Sequence, residues 1–177
     1  LREILALPLN LEMANAPEII DIALKLKPAT VCLVPERRQE LTTEGGLDVA
    51  ANRTAISETC KRMNGVGVAV SLFITPDLLQ VDASAGVGAQ YIELHTGAYA
   101  EHFPSEKELE RLLKAARQSR AAGLRINAGH GLNYENVAGL HHISHLEDLN
   151  IGHSIISRAV FVGLADAVKE MLRLVAK

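Results

Sequence analysis

Short, β-rich apolar runs recur along the chain at Leu7 to Met13, Ala29 to Pro35, Val66 to Ile74, Tyr91 to His95, Leu124 to Ala128 and Leu149 to Ile156, with a helical period following each. This alternation constrains the fold more than any other feature, because strands that are each followed by a helix are delivered parallel to one sheet. Thr30-Val31-Cys32-Leu33-Val34 and Val66-Gly67-Val68-Ala69-Val70-Ser71-Leu72-Phe73-Ile74 are almost continuously apolar. Strands covered on both faces read in that way.

The helical periods have recognisable ends. Pro17 opens a helix that buries Ile19, Ile20, Ala23 and Leu24, and Val49, Ile56, Cys60 and Met63 follow helical spacing before Asn64-Gly65. Thr75-Pro76 offers a cap and a first-turn proline to Leu78, Val81 and Ala85. Ser105 with Glu108 forms a capping-box pattern for a helix that buries Leu109, Leu112, Leu113 and Ala116 and stops at Gly123. A weaker helix follows Asn133, and a last one runs from about Ala159 towards Lys177 with Leu164, Val168, Met171, Leu172 and Val175 on one stripe.

A parallel α/β chain forms either an open doubly wound sheet or a closed barrel. No G-x-G-x-x-G follows the first strand, so the dinucleotide-binding version lacks its usual support. Strand ends instead carry Glu12, Glu36, Glu93 with His95, His130 and His153, and polar residues from many strand ends converge on one face in a barrel. A (β/α)8 barrel takes roughly 250 residues, or about 30 per unit. The 177 residues therefore hold six of its eight units. The expected fold is α/β, a (β/α)8 TIM barrel, as a single domain over residues 1–177. The last helix ends in good order and the chain starts with Leu1. Both place the deficit at about the first two βα units.

Composition narrows the function classes. At 48% hydrophobic and 22% charged the chain reads as globular rather than disordered, and no run approaches the roughly 18 apolar residues of a membrane helix. A net charge of −3 with scattered Lys and Arg provides no footprint for nucleic acid. Cys32 and Cys60 have no metal spacing and read as small buried hydrophobes in a reducing cytoplasm.

Ile126-Asn127-Ala128-Gly129-His130-Gly131 and Asn150-Ile151-Gly152-His153-Ser154 both place glycine beside histidine where a strand gives way to a loop. Loops after the seventh and eighth strands of such barrels, with a helix N-terminus, are a recurrent phosphate site. Read in that register, the two loops predict a phosphorylated substrate. The plainer alternative is that the glycines only form turns. Glu12 ends an apolar strand, where burial would raise its pKa and suit it to general acid or base work. A structural pairing with a basic neighbour is the other reading. Glu93 and His95 share one strand face. An inward Glu93 must hold a cationic or hydrogen-bonding partner, or offset developing positive charge. The polar stretch from Glu36 to Gly46 ends in two glycines, as a lid would, and Arg37, Arg38 and Thr42 could reach ligand phosphates or hydroxyls from it, unless it is only a solvated loop. His141, His142 and His145 lack a carboxylate or cysteine arranged to complete a metal site.

Asn-Leu-Glu-Met at 10–13, Leu-Val-Pro-Glu-Arg-Arg-Gln-Glu-Leu-Thr-Thr-Glu-Gly-Gly-Leu-Asp at 33–48, Ile-Glu-Leu-His-Thr-Gly at 92–97, Asn-Ala-Gly-His-Gly-Leu at 127–132 and Asn-Ile-Gly-His-Ser-Ile-Ile at 150–156 closely resemble the pyridoxine 5′-phosphate synthase family. The resemblance runs essentially end to end. It implies a barrel that condenses 1-deoxy-D-xylulose 5-phosphate with 3-amino-2-oxopropyl phosphate to form pyridoxine 5′-phosphate, phosphate and water. By position Glu12 resembles the family's general base, His130 its proton donor and Glu93 the carboxylate that stabilises charge in the transition state. Thr42 matches a contact to the deoxyxylulose phosphate, and Gly131, Gly152 and His153 match the loops that hold the aminoketone phosphate. Such a condensation needs repeated proton transfers but no redox step or electron sink, so neither cofactor nor metal is implied. A cytoplasmic homo-oligomer of dimers, an octamer, is implied as well.

One departure stands out. The family carries an Asn-x-Asp-His motif on its first strand and a His-x-Arg motif on its second, and neither occurs in these 177 residues. Two readings compete with the synthase: a non-catalytic phosphate-binding piece of such a barrel, and another phosphosugar enzyme on the same fold. Because no lysine lies at an expected strand end, a Schiff-base aldolase is disfavoured.

Overall fold

The computed structural model describes residues 4–36 and 45–176. Six strands, β1 (Asn10–Met13), β2 (Thr30–Leu33), β3 (Ala69–Ile74), β4 (Tyr91–His95), β5 (Arg125–Gly129) and β6 (Leu146–Asn150), alternate with helices. The helices are α1 (Pro17–Leu26), α2 (Arg53–Asn64), α3 (Leu78–Gly86), α4 (Gly97–Glu101), α5 (Glu106–Ala121), α6 (His153–Val162) and α7 (Leu164–Val175), with a 3-10 turn over Val137–His142 before β6.

All five strand pairings are parallel, and the order across the sheet is the order in the chain. This order separates the two candidate folds. A doubly wound sheet reverses its strand order at a switch point and places helices on both faces. A sheet laid down in chain order with crossovers of constant hand keeps its helices on one face and curls away from them. Curling is visible in the side chains. In a flat sheet β2 and β6, four strands apart, would lie roughly 19 Å from one another. Yet Cys32 Sγ of β2 lies 3.5 Å from Glu93 Oε2 of β4, and Asn150 Nδ2 of β6 lies 2.6 Å from the same oxygen. The described residues thus form an open arc of six strands, with β1 and β6 at its edges, rather than a closed ring of eight.

The strands are less uniformly apolar than their sequence runs suggest. Val31, Leu33, Val70, Leu72, Ile74, Ile92, Leu94, Ile126 and Ala128 are fully buried with Ile56, Met63, Val81 and Leu112 of the helices. Each large aliphatic side chain buried in this layer contributes about 1.5–3 kcal/mol. Alternate positions, Cys32, Ser71, Glu93, Asn127 and Asn150, carry polar atoms and line the concave side, since successive strand residues face opposite ways.

Helix ends mostly follow local chemistry. Pro17 begins α1, and the Ser105 hydroxyl accepts from the Glu108 N–H at 3.3 Å to cap α5. Elsewhere the structure corrects the sequence reading. The cap of α3 is Asp77, whose carboxylate accepts from the Leu79 N–H at 2.7 Å, rather than Thr75. The sixth strand lies over Leu146–Asn150 and not over Leu149 to Ile156, because Gly152 caps a helix that takes up Ile155 and Ile156. The expected single last helix is two, broken at Gly163 with φ 82° and ψ 153°, a conformation that only glycine adopts readily. The weak helix after Asn133 is the 3-10 turn. Among the described residues no helix is long and apolar enough to cross a membrane.

Candidate active site

A cleft of about 1280 Å³ opens at the carboxyl ends of the strands. Glu12, Glu93, His130, Gly131, Gly152 and His153 all line it, so six of the seven residues singled out from sequence meet in one place. The seventh, Thr42, lies outside the described residues, as do Arg37 and Arg38. Pro35 and Gly45, on either side of that undescribed stretch, both line the cleft.

The floor of the cleft is built around Glu93. Only 4% exposed, its carboxylate has lost most of its hydration, which pushes its pKa from the ordinary glutamate value to about 7. The Asn150 amide pulls against that rise, the charge of Glu12 adds to it, and the Cys32 thiol again lowers it. The partner anticipated from sequence is therefore a pair of neutral donors, Asn150 Nδ2 at 2.6 Å and Cys32 Sγ at 3.5 Å. Burial, and next the nearby Glu93 charge, hold the Cys32 thiol well above its ordinary pKa, so it acts as a donor and not as a thiolate. Glu12 differs from expectation: it is exposed on the cleft wall, because β1 is an edge strand and nothing described covers that side.

The opposite wall is aromatic. The rings of His95 and His130 stack with centroids 4.8 Å apart and planes inclined by 30°, and Phe73 meets His95 edge-on at 5.0 Å. Room for the stack depends on Gly97, where a Cβ would fall 2.5 Å from His95 Cε1 and 3.3 Å from His130 Cδ2. His130 has φ +83°, a left-handed backbone that non-glycine residues rarely adopt. Thr96 holds it there, its buried hydroxyl 2.7 Å from the Gly129 carbonyl oxygen and 2.6 Å from that of His130. The result is an imidazole projecting into the cleft from a fixed turn.

At the far end Gly131 and the start of α6 come together. Ser154 Oγ donates to the Leu132 carbonyl at 2.8 Å, tying the two glycine-histidine loops to each other. The first intrahelical bond at this end runs from the Ile156 N–H to the Gly152 carbonyl, so the N–H groups before it have no helical partner. Such a helix start attracts anions.

Asn150, Thr96, Gly97 and Phe73 are site residues that sequence reasoning passes over, and His95 is noticed there without a role. Of these Asn150 carries a sequence signal in its place directly before Ile-Gly-His, and Thr96 and Gly97 in the Ile-Glu-Leu-His-Thr-Gly motif. Cys32, read from sequence as a plain buried hydrophobe, also bonds to the floor carboxylate. Among the described residues no three metal-ligating side chains come together, and His141 and His142 end the 3-10 turn.

A curled parallel α/β sheet with carboxylates and imidazoles gathered in a cleft at its strand ends has the layout of an enzyme active site. Solved structures agree at the level of fold. A xylose isomerase domain protein from Planctomyces limnophilus is similar with a TM-score of 0.56 at 12% identity, over 96% of this chain and 72% of its own. The chain belongs to the pyridoxal phosphate biosynthesis protein PdxJ family, whose family model matches residues 1–177. Pyridoxine 5′-phosphate synthase of Akkermansia muciniphila is 52% identical over 173 residues, covering 96% of this chain and 70% of that protein. The Opitutus terrae protein of the same name is 52% identical over 175 residues, covering 97% and 71% respectively.

Proposed function

We propose that this cleft performs the pyridoxine 5′-phosphate synthase reaction, joining 1-deoxy-D-xylulose 5-phosphate to 3-amino-2-oxopropyl phosphate with release of phosphate and water. The observation that carries the reading is the meeting of Glu12, Glu93, His130, Gly131, Gly152 and His153 in one cleft.

Glu12, exposed to the cleft, is the general base that takes protons from the carbon and nitrogen centres during condensation. His130 is the proton donor that lets hydroxyl and phosphate depart, and its fixed left-handed turn keeps the ring aimed. Proton transfer by a placed group accelerates such steps by roughly 10²–10⁴-fold. Glu93 offsets positive charge that develops on the condensing nitrogen, an interaction strengthened by the low dielectric around it. Gly131, Gly152 and His153 hold the aminoketone phosphate at the start of α6. The expected contact from Thr42 to the second phosphate belongs to the same reading.

We also propose that the arc is part of a closed (β/α)8 barrel. Barrel interiors are filled in layers of four side chains from alternate strands. Cys32 of β2, Glu93 of β4 and Asn150 of β6 touch as three members of such a layer would. The chain also spans 70% and 71% of the two relatives above.

Incubating the full natural protein with both phosphorylated substrates should yield pyridoxine 5′-phosphate, read by mass spectrometry. Absence of product at every substrate concentration rejects the proposal. Glu12→Gln and His130→Asn should each lower kcat by at least about 10²-fold with little change in Tm, because each replacement is polar and close in shape to the side chain it replaces.

A further inference from the structure

We infer that Asn150 is a positioning residue for Glu93: its amide, delivered by β6, fixes one carboxylate oxygen and leaves the other to the cleft, a role that rests on the acid–base reading above. Oε2 receives Asn150 Nδ2 at 2.6 Å and lies 3.5 Å from Cys32 Sγ. Oε1 borders Gly129, where any Cβ would collide with it, and no donor among the described residues is bonded to it. Three strands therefore hold one rotamer: β2 and β6 through donors, and β5 by the absence of a side chain.

The kind of donor matters. A lysine or arginine in place of Asn150 would form an ion pair with the carboxylate and spend its charge there. A neutral amide orients the group, satisfies one buried oxygen and leaves the negative charge available to the reacting centre. The thiol is a weak donor and cannot substitute for the amide. Asn150 also stands two residues before Gly152, so the strand that places the amide continues directly into the phosphate end of the cleft.

Titratable groups around this carboxylate are Cys32 on β2, Glu12 on β1, His95 on β4, and His130 and His153 across the cleft. The intervening β3 presents only the neutral Ser71 and Phe73. Asn150 is the largest of the influences that favour the ionised form of Glu93. Its removal should therefore delay ionisation.

The test is the pH dependence of kcat/KM for the full natural protein and for Asn150→Leu, Asn150→Gln and Glu93→Gln. Loss of a hydrogen bond to a charged group should move the acidic limb of Asn150→Leu upward by about one pH unit. Asn150→Gln should restore part of that shift, and Asn150→Leu should cause no further loss on the Glu93→Gln background. An equal loss at every pH, additive with Glu93→Gln, overturns the inference. Should Asn150→Leu fail to fold, Asn150→Ser, whose shorter side chain withdraws the donor from the carboxylate while staying polar, reads the same upward shift. The infrared carboxyl stretch that disappears in Glu93→Gln reports the same titration in ligand-free protein. Its midpoint moving upward in Asn150→Leu while the parent protein shows no turnover rejects the synthase reading and keeps the role of Asn150. Turnover by the parent with an unmoved midpoint rejects the role and keeps the synthase.

Discussion

Burial gives the Glu93 carboxyl a folded-state pKa of about 7 against an ordinary value of 4.5. Between those values the folded chain keeps a proton that the unfolded chain has released, so stability falls as pH rises through that window. At pH 8 the ionised side chain costs on the order of 3 kcal/mol, from the free energy of a pKa unit. Glu93→Gln should therefore be more stable than the parent at pH 8, near parity below pH 4.5, and much slower in the synthase assay. Urea denaturation at the two pH values checks this, and equal differences at both would contradict it. The place of Glu93 is legible in Ile92-Glu93-Leu94-His95, since alternation alone puts Glu93 and His95 on one face. Its partners are not legible. Cys32 and Asn150 lie 61 and 57 residues away, and only the curl of the sheet brings them to the same oxygen.

Among the elements, strands are read from sequence more securely than their ends. Apolar runs mark β2, β4 and β5 closely, because a strand covered by helices must be apolar at least on alternate positions. The same rule misplaces β6. Ile151, Ile155 and Ile156 look like strand residues, yet Gly152 between them starts a helix, and the edge strand itself carries Glu147, Asp148 and Asn150. At the C-terminus an amphipathic stripe passes over Gly163 without a break, so periodicity gives one helix where backbone geometry makes two. Gly163 also makes a clear prediction. A Cβ there would meet nothing, so the cost of Gly163→Ala is conformational and not steric. Forcing alanine into φ 82°, ψ 153° should cost about 1–3 kcal/mol, seen as a lower urea midpoint. An unchanged midpoint would show that α6 and α7 can join without that bend.

At the scale of the molecule, chain-order pairing leaves one side of β1 and one side of β6 unpaired among the described residues. Val160, Phe161, Leu164 and Leu172 also stand exposed on α6 and α7. Unpaired strand edges and exposed large apolar side chains both invite further contacts. The 177-residue chain studied alone should therefore associate in a concentration-dependent way in sedimentation velocity, and a single monomeric boundary across a hundredfold concentration range would contradict this. Strict alternation and the polar strand ends make the parallel sheet and its reactive rim readable from sequence. Closure is not readable in the same way, because it depends on which strands meet at the edges.

The contacts from Glu93 to β2 and β6 act as a cross-brace. Backbone ladders join neighbouring strands only, whereas a side-chain bond that skips a strand adds a tie across the bend of the arc. The carboxylate assigned to the chemistry is thus also the keystone of its own vault. Altering position 93 or 150 to suit another substrate would remove a tie between strands that are not neighbours. Retargeting this scaffold should leave that keystone in place and begin at the rim, with the loops that carry Gly131 and Gly152.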